Sequence, residues 1–307
     1  MTGSGEDRLS VLPFEAVNAP PGTRNIMLTI SYDGTAYKGW QVQPNGESVQ
    51  SCVERAVEAV TGERRRVYCA GRTDAGVHAL GQVANFFTVS RIPIQNVRLA
   101  LQTHLPTDIS IVSAQEVSLA FHATFSAVRK RYRYLIHDGE VCPPFLKNYC
   151  QQARVRLDVD RMHEAAQALL GTHDFRCFEK EYPNKQSSVR TIMDAVVRRV
   201  PSWDMWQSTH HWRPAHPMPG RPLPDPDESP FLTFEVMADG FLYNMVRSIV
   251  GTLTDIGRGK RPVSYLRHVI ESLDRSVAGM TAVPQGLYMV YVEYPPELLQ
   301  ASRPAST

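Results

Sequence analysis

Asn25-Ile-Met-Leu-Thr-Ile-Ser-Tyr32 places Ile26, Leu28, Ile30 and Tyr32 at every second position, and Val49-Gln-Ser-Cys-Val-Glu-Arg-Ala-Val-Glu-Ala-Val60 follows after a loop. A period of two gives way to a period of three to four. The first segment therefore reads as a strand and the second as an amphipathic helix behind a Ser48 cap. Working outward, the pattern predicts short strands at Arg66–Ala70 and Gln82–Val89. It also predicts a helix from Ile94 to His104 headed by Pro93, and a strand at Ile109–Val117. The order is β-α-β-β-α-β, a ferredoxin-like unit.

That order returns in the second half. A strand carries Tyr132, Tyr134 and Ile136 on one face and Arg131, Arg133 and Leu135 on the other. A helix over Val159–Leu170 follows Asp158, with Met162, Ala165, Ala166, Leu169 and Leu170 on its apolar stripe. Strands are expected at Val189–Val200 and Phe231–Met237, then a helix with Leu242, Met245, Val246, Ile249 and Leu253 inward. A short helix at Ser264–Leu273 and a strand at Gly286–Tyr294 close the set. The expectation is an α+β fold of two tandem ferredoxin-like halves, 25–120 and 121–298, with pseudo-two-fold symmetry and a cleft between them. Residues 1–24 and 299–307 read as tails, the first disordered. Residues 201–230 hold eight of the 22 prolines and three of the four tryptophans, and read as an insertion too proline-rich for regular structure.

Composition limits the function classes. Of 307 residues, 43% are hydrophobic and 21% charged, which suits a globular core and excludes a wholly disordered chain. No apolar run is long enough for a transmembrane helix, and the start of the chain shows no secretory signal. The five cysteines are odd in number and form no C-x-x-C pair, which argues against a disulfide scaffold or a cysteine zinc site and fits a reducing cytoplasm. His210-His-x4-His216 lacks a spaced fourth ligand, so no metal is expected there. Net charge is only +2, but arginine outnumbers lysine 27 to 6. Three basic runs, Arg64-Arg-Arg66, Arg129-Lys-Arg131 with Arg133, and Arg258-Gly-Lys260-Arg261, point together toward nucleic acid, the second interleaved with Tyr132 and Tyr134.

The loop Gly71-Arg-Thr-Asp-Ala-Gly-Val-His-Ala79 sets small Ala75 and Gly76 beside Asp74, so that a bulky substrate can approach the carboxylate. Taken alone it also reads as a turn joining strands. Its nine residues resemble the signature of the tRNA pseudouridine synthases that modify uridines 38, 39 and 40 of the anticodon arm. Further segments are similar to the same family in the same order. They are Tyr32-Asp-Gly-Thr, Gly39-Trp-Gln-x-Gln43, Phe121-His-Ala, Arg131-Tyr-Arg-Tyr134, Leu170-Gly-x-His-Asp-Phe175, Met245-Val-Arg-x-Ile-Val-Gly251 and Gly286-Leu-Tyr288. The resemblance runs from about residue 25 to 294, the insertion excepted. Thr124 departs from it, standing where the family usually has arginine.

The resemblance implies an isomerase of the pseudouridine synthase fold, needing no metal or cofactor, and a homodimer that binds one tRNA across both subunits. Asp74 would be the nucleophile, on ribose or on base. Arg247 would pair with it, Tyr132 would stack on the uracil and take part in proton transfer, and Leu287 would floor the pocket. Arg72 would assist base flipping, and Arg129, Lys130 and Arg131 would line the RNA path. Read without the family, Arg247 equally suits a solvated helix position, Tyr132 and Leu287 suit packing, and Arg72 suits a phosphate contact. His78 and His122 read as structural hydrogen-bonding residues. A non-catalytic RNA-binding protein is the strongest rival, and the trio Asp74, Tyr132 and Arg247 weighs against it. A carboxylate hydrolase would want a second acid or a metal set.

Overall fold

The computed structural model describes residues 20–44, 46–180, 187–201 and 229–301. The expectations of tails and of an insertion fall largely on 1–19, 202–228 and 302–307, outside the described residues. The chain divides into two compact units, one running to Arg129 and resuming at Val292, the other Lys130–Tyr291. The division falls beyond the expected 120/121 boundary because the segment after Val117 is tied back into the first unit. Ser118 N donates to Leu298 O, Ala123 N to Asn85 Oδ1, and Tyr294 Oη to Ala123 O.

In the first unit the elements are β1 (Arg24–Tyr32), α1 (Val49–Thr61), β2 (Tyr68–Cys69), β3 (His78–Thr88), α2 (Ile94–Gln102) and β4 (Ile109–Val117). This is the predicted order. β1 pairs antiparallel with both β3 and β4, and β2 pairs antiparallel with β3, giving the order β4-β1-β3-β2. α1 forms where the spacing predicts. Ser48 and Ser51 exchange hydrogen bonds in a capping box, Gly62 closes the helix in the left-handed region, and Val49, Cys52, Val53, Ala56 and Val57 are buried. β2 is shorter than the predicted Arg66–Ala70, whereas β3 starts at His78 rather than Gln82, directly after the Gly71 loop.

The second unit carries β5 (Arg129–His137, from Lys130), β6 (Gln151–Gln152), α3 (Val159–Ala166), β7 (Gly171–Asp174), β8 (Val189–Arg199), β9 (Phe231–Ala238), α4 (Met245–Gly257), α5 (Tyr265–Ser272) and β10 (Leu287–Glu293, to Tyr291). Its strand order is β10-β5-β9-β8-β7, with β5–β9, β8–β9 and β7–β8 antiparallel and β6 a short parallel addition to β5. Asp158 caps α3 by accepting from Arg161 N at 3.0 Å, and the predicted run to Leu170 ends instead as a 3-10 turn over Gln167–Leu169. On β5 the faces alternate as expected, and every residue from Tyr132 to His137 is buried, Arg133 included. Glu235 of β9 meets Arg133 at 3.0 Å, so the polar face is covered by an ion pair rather than by water. Among the described residues no helix is long and apolar enough to cross a membrane. The molecule is thus a mixed α and β protein with mostly antiparallel sheet.

Candidate active site

Tight backbone packing positions Asp74. Val77 N donates to Asp74 O at 3.1 Å, closing a turn whose remaining members are Ala75 and Gly76. The half-buried Asp74 side chain therefore has no bulky neighbour within its own turn. Thr73, one residue earlier, is buried and fixed twice: its carbonyl accepts from Trp40 N at 3.0 Å, and its hydroxyl is hydrogen-bonded to Tyr32 Oη at 2.7 Å. Burial pushes the Tyr32 phenol well above its ordinary pKa, with the Thr73 contact opposing, so it stays a neutral hydrogen-bonding group. The loop between β1 and α1 presses onto this turn at two glycines. A Cβ on Gly34 would lie 2.0 Å from Val77 O, and one on Gly39, where φ is +92°, would lie 2.4 Å from Thr73 O. Tyr32-Asp-Gly-Thr and Gly39-Trp, distant in sequence from Asp74, are the seat of its loop.

Three further contacts finish that loop. His78 is buried and its Nδ1 accepts from Gly34 N at 3.0 Å, the structural role expected of it. Gln82 Nε2 donates to Gly71 O at 2.8 Å. Thr124, where the family usually has arginine, is exposed and donates its hydroxyl to Cys69 O at 2.6 Å. Arg72 is exposed.

In the second unit Tyr132 is buried, and Phe241 stands edge-on to its ring with centroids 5.0 Å apart. Arg247 is half-buried, in the first turn of α4, and two of its donors are committed. Nε donates to Ala282 O at 2.7 Å and Nη1 to Asn244 Oδ1 at 2.8 Å. These bonds hold the guanidinium in one orientation, unlike that of a solvated helix arginine. The neighbouring Tyr134 is buried, its phenol pushed far up by desolvation while the Arg247 charge pulls the other way, and it donates to Val283 O at 2.7 Å. Leu287 is buried at the start of β10.

The basic run on β5 is largely compensated. Arg129 Nη2 donates to Glu293 Oε1 at 2.8 Å, in the first unit. Within the second, Arg131 Nη1 lies 2.8 Å from Asp194 Oδ2, and Arg131, Arg133 and Arg198 all approach Glu235. Lys130 is half-buried. Sequence reading missed Phe241, Asn244 and the acids facing the run. A lone charged residue, Glu235, in the Phe231–Ala238 strand was the one available signal. Among the described residues no group of three or more His, Cys, Asp or Glu side chains is arranged to hold a metal ion.

The sequence profile of the family described as tRNA pseudouridine synthase matches residues 28–126 and 165–295. The chain is 40% identical to tRNA pseudouridine synthase A of Thermoanaerobacter sp. (strain X514) and 43% identical to that of Acetivibrio thermocellus, in each case over 271 residues, 88% of this chain and all of the relative. Against the protein of the same name from Pseudomonas aeruginosa it is 38% identical over 288 residues, 94% of this chain and 91% of the relative. The first matched segment contains the Asp74 loop and both glycines that seat it, and the second contains Arg247 with its two anchors; Tyr132 lies between the two segments. On that breadth of agreement the chain belongs to the tRNA pseudouridine synthases and is an isomerase.

Proposed function

We propose that the chain converts uridine to pseudouridine at positions 38, 39 and 40 of the tRNA anticodon arm, with Asp74 as nucleophile. In this isomerisation the bond between uracil N1 and ribose C1′ breaks, the base turns, and C5 bonds to C1′. The C5 proton leaves and N1 gains one, so atoms and electrons balance without oxidant, hydrolysis, metal or cofactor. Asp74 carries the reaction as a carboxylate that forms and releases a covalent bond to the nucleotide. Arg247 is assigned as the cation that pairs with the nucleophile, Tyr132 stacks on the uracil and takes part in proton transfer, and Leu287 floors the base. Arg72 assists flipping, at a cost of a few kcal/mol for unstacking. Arg129, Lys130 and Arg131 are assigned to the RNA backbone, the two arginines exchanging carboxylate for phosphate contact. The observation that carries this reading is the seating of the Asp74 turn by Gly34 and Gly39, a close packing that a plain connecting loop does not need.

The proposal extends to the molecule. With the short β6 and β7 set aside, the order of β4-β1-β3-β2 recurs as β10-β5-β9-β8, last-first-third-second in each unit, which supports two tandem ferredoxin-like halves with pseudo-two-fold symmetry. A homodimer acting in the cytoplasm is part of the same reading; all five cysteines are free thiols. Mapping pseudouridine in tRNA from cells that lack the chain is the test. Unmodified uridine at 38 to 40 is expected, and full modification there would contradict it.

A further inference from the structure

Arg64-Arg-Arg66, one of two basic runs that the catalytic reading leaves unused, leads in the first unit to a series of rings. The Arg66 guanidinium lies 5.6 Å from the Tyr68 centroid. Tyr68 is 4.8 Å from His122, and His122 is 4.5 Å from Phe125. Both ends of the series reach solvent: Arg66 is exposed, and Phe125 is 67% exposed.

The turn that carries Phe125 is tightly held. His122 Nδ1 accepts from Thr124 N at 3.1 Å, His122 N donates to Ser126 Oγ at 3.0 Å, and Ser126 N donates to His122 O at 2.9 Å. The Thr124 hydroxyl ties the turn to the end of β2, and Asn85 ties Ala123 to β3. A large apolar ring is thus kept in water by a structured backbone, which leaves little ordering cost for whatever binds it. At the cationic end, Glu63 is engaged by Arg65, Thr88 and Val89, and Glu58 lies 3.7 Å from Arg64. Arg66 has no carboxylate partner among the described residues.

We propose that Arg66, Tyr68, His122 and Phe125 form a second RNA-contact strip. An unstacked base of the tRNA lies against Phe125, and Arg66 takes a phosphate of the same strand. The combination of an exposed ring with an uncompensated arginine is what single-stranded nucleic acid selects, stacking on the one and neutralising the other. An apolar protein surface would cover the ring but strand the charge. The inference rests on the tRNA reading above and adds a place where a nucleotide other than the target is held.

The test is equilibrium binding of the full chain to an unmodified tRNA transcript across a salt series, for the parent, Phe125→Ala, Phe125→Trp and Arg66→Ala. Phe125→Ala is expected to weaken binding about tenfold with the log–log salt slope unchanged, and Phe125→Trp to restore it. Arg66→Ala is expected to weaken binding and to lower the slope by about one. Phe125→Ala binding within twofold of the parent, or a tryptophan variant as weak as alanine, would overturn the stacking. An unchanged slope in Arg66→Ala would overturn the phosphate contact. Failure of the isomerase reading shows separately, as a parent protein that forms no pseudouridine, because the binding comparison needs no turnover.

Discussion

At Gly39 the backbone takes a φ of +92° against the Thr73 carbonyl, leaving no room for a methyl group. Gly39→Ala is therefore expected to destabilise the protein by about 1–3 kcal/mol and to shift the Asp74 turn. Pseudouridine formation per folded molecule should fall as well; a parental rate and melting temperature would contradict the seating argument. Glu63 gives a second test through pH. Burial acts to raise its pKa, but hydrogen bonds from Arg65, Thr88 and Val89 N–H outweigh it and hold the carboxyl below the usual range. A depressed folded-state value contributes stability that is present above the unfolded pKa, about 4.3, and is lost as pH falls through the folded one. Melting temperature should accordingly fall less steeply with acid in Glu63→Gln than in the parent, and superimposable profiles would contradict the linkage. The turn around Asp74 was legible in the sequence because Ala75 and Gly76 are visibly small. The orientation of Arg247 was not. One of its anchors is the carbonyl of Ala282, 35 residues away, a group every residue possesses and no sequence pattern marks.

At the scale of elements, the long periodic segments were readable and the short ones were not. α1 announced itself by spacing and cap, whereas the two residues of β6 and the four of β7 are too short to hold a period. β5 was correctly placed, with its alternation of faces. What the sequence does not state is the pairing of strands that brings Glu235 and Asp194 against Arg131 and Arg133. Arg133 and Glu235 are 4% and 6% exposed, so removing Arg133 leaves the buried Glu235 carboxylate only its longer 3.4 Å contacts to Arg131 and Arg198. Arg133→Met should cost about 3 kcal/mol in urea unfolding, and the double variant Arg133→Met with Glu235→Leu should recover most of it. Equal losses in the single and double variants would contradict a desolvated pair.

For the whole molecule, the assignment of chemistry depends on residues from two units, Asp74 in one and Tyr132 and Arg247 in the other. The repeated element order made a division of the chain into two parts readable, while the partition at Arg129 was hidden in hydrogen bonds from Ser118, Ala123 and Tyr294. The homodimer is tested by light scattering of purified protein at micromolar concentration. A two-chain mass is expected, and a one-chain mass with full activity would show that the dimer is not required. The central claim, that the Asp74 carboxylate makes the bond that starts the isomerisation, is tested most directly by Asp74→Asn. The change keeps side-chain shape and removes the charge, so tRNA affinity should stay within about tenfold, or 1.4 kcal/mol. Pseudouridine formation should fall to background. Turnover by a pure Asp74→Asn preparation would contradict the account.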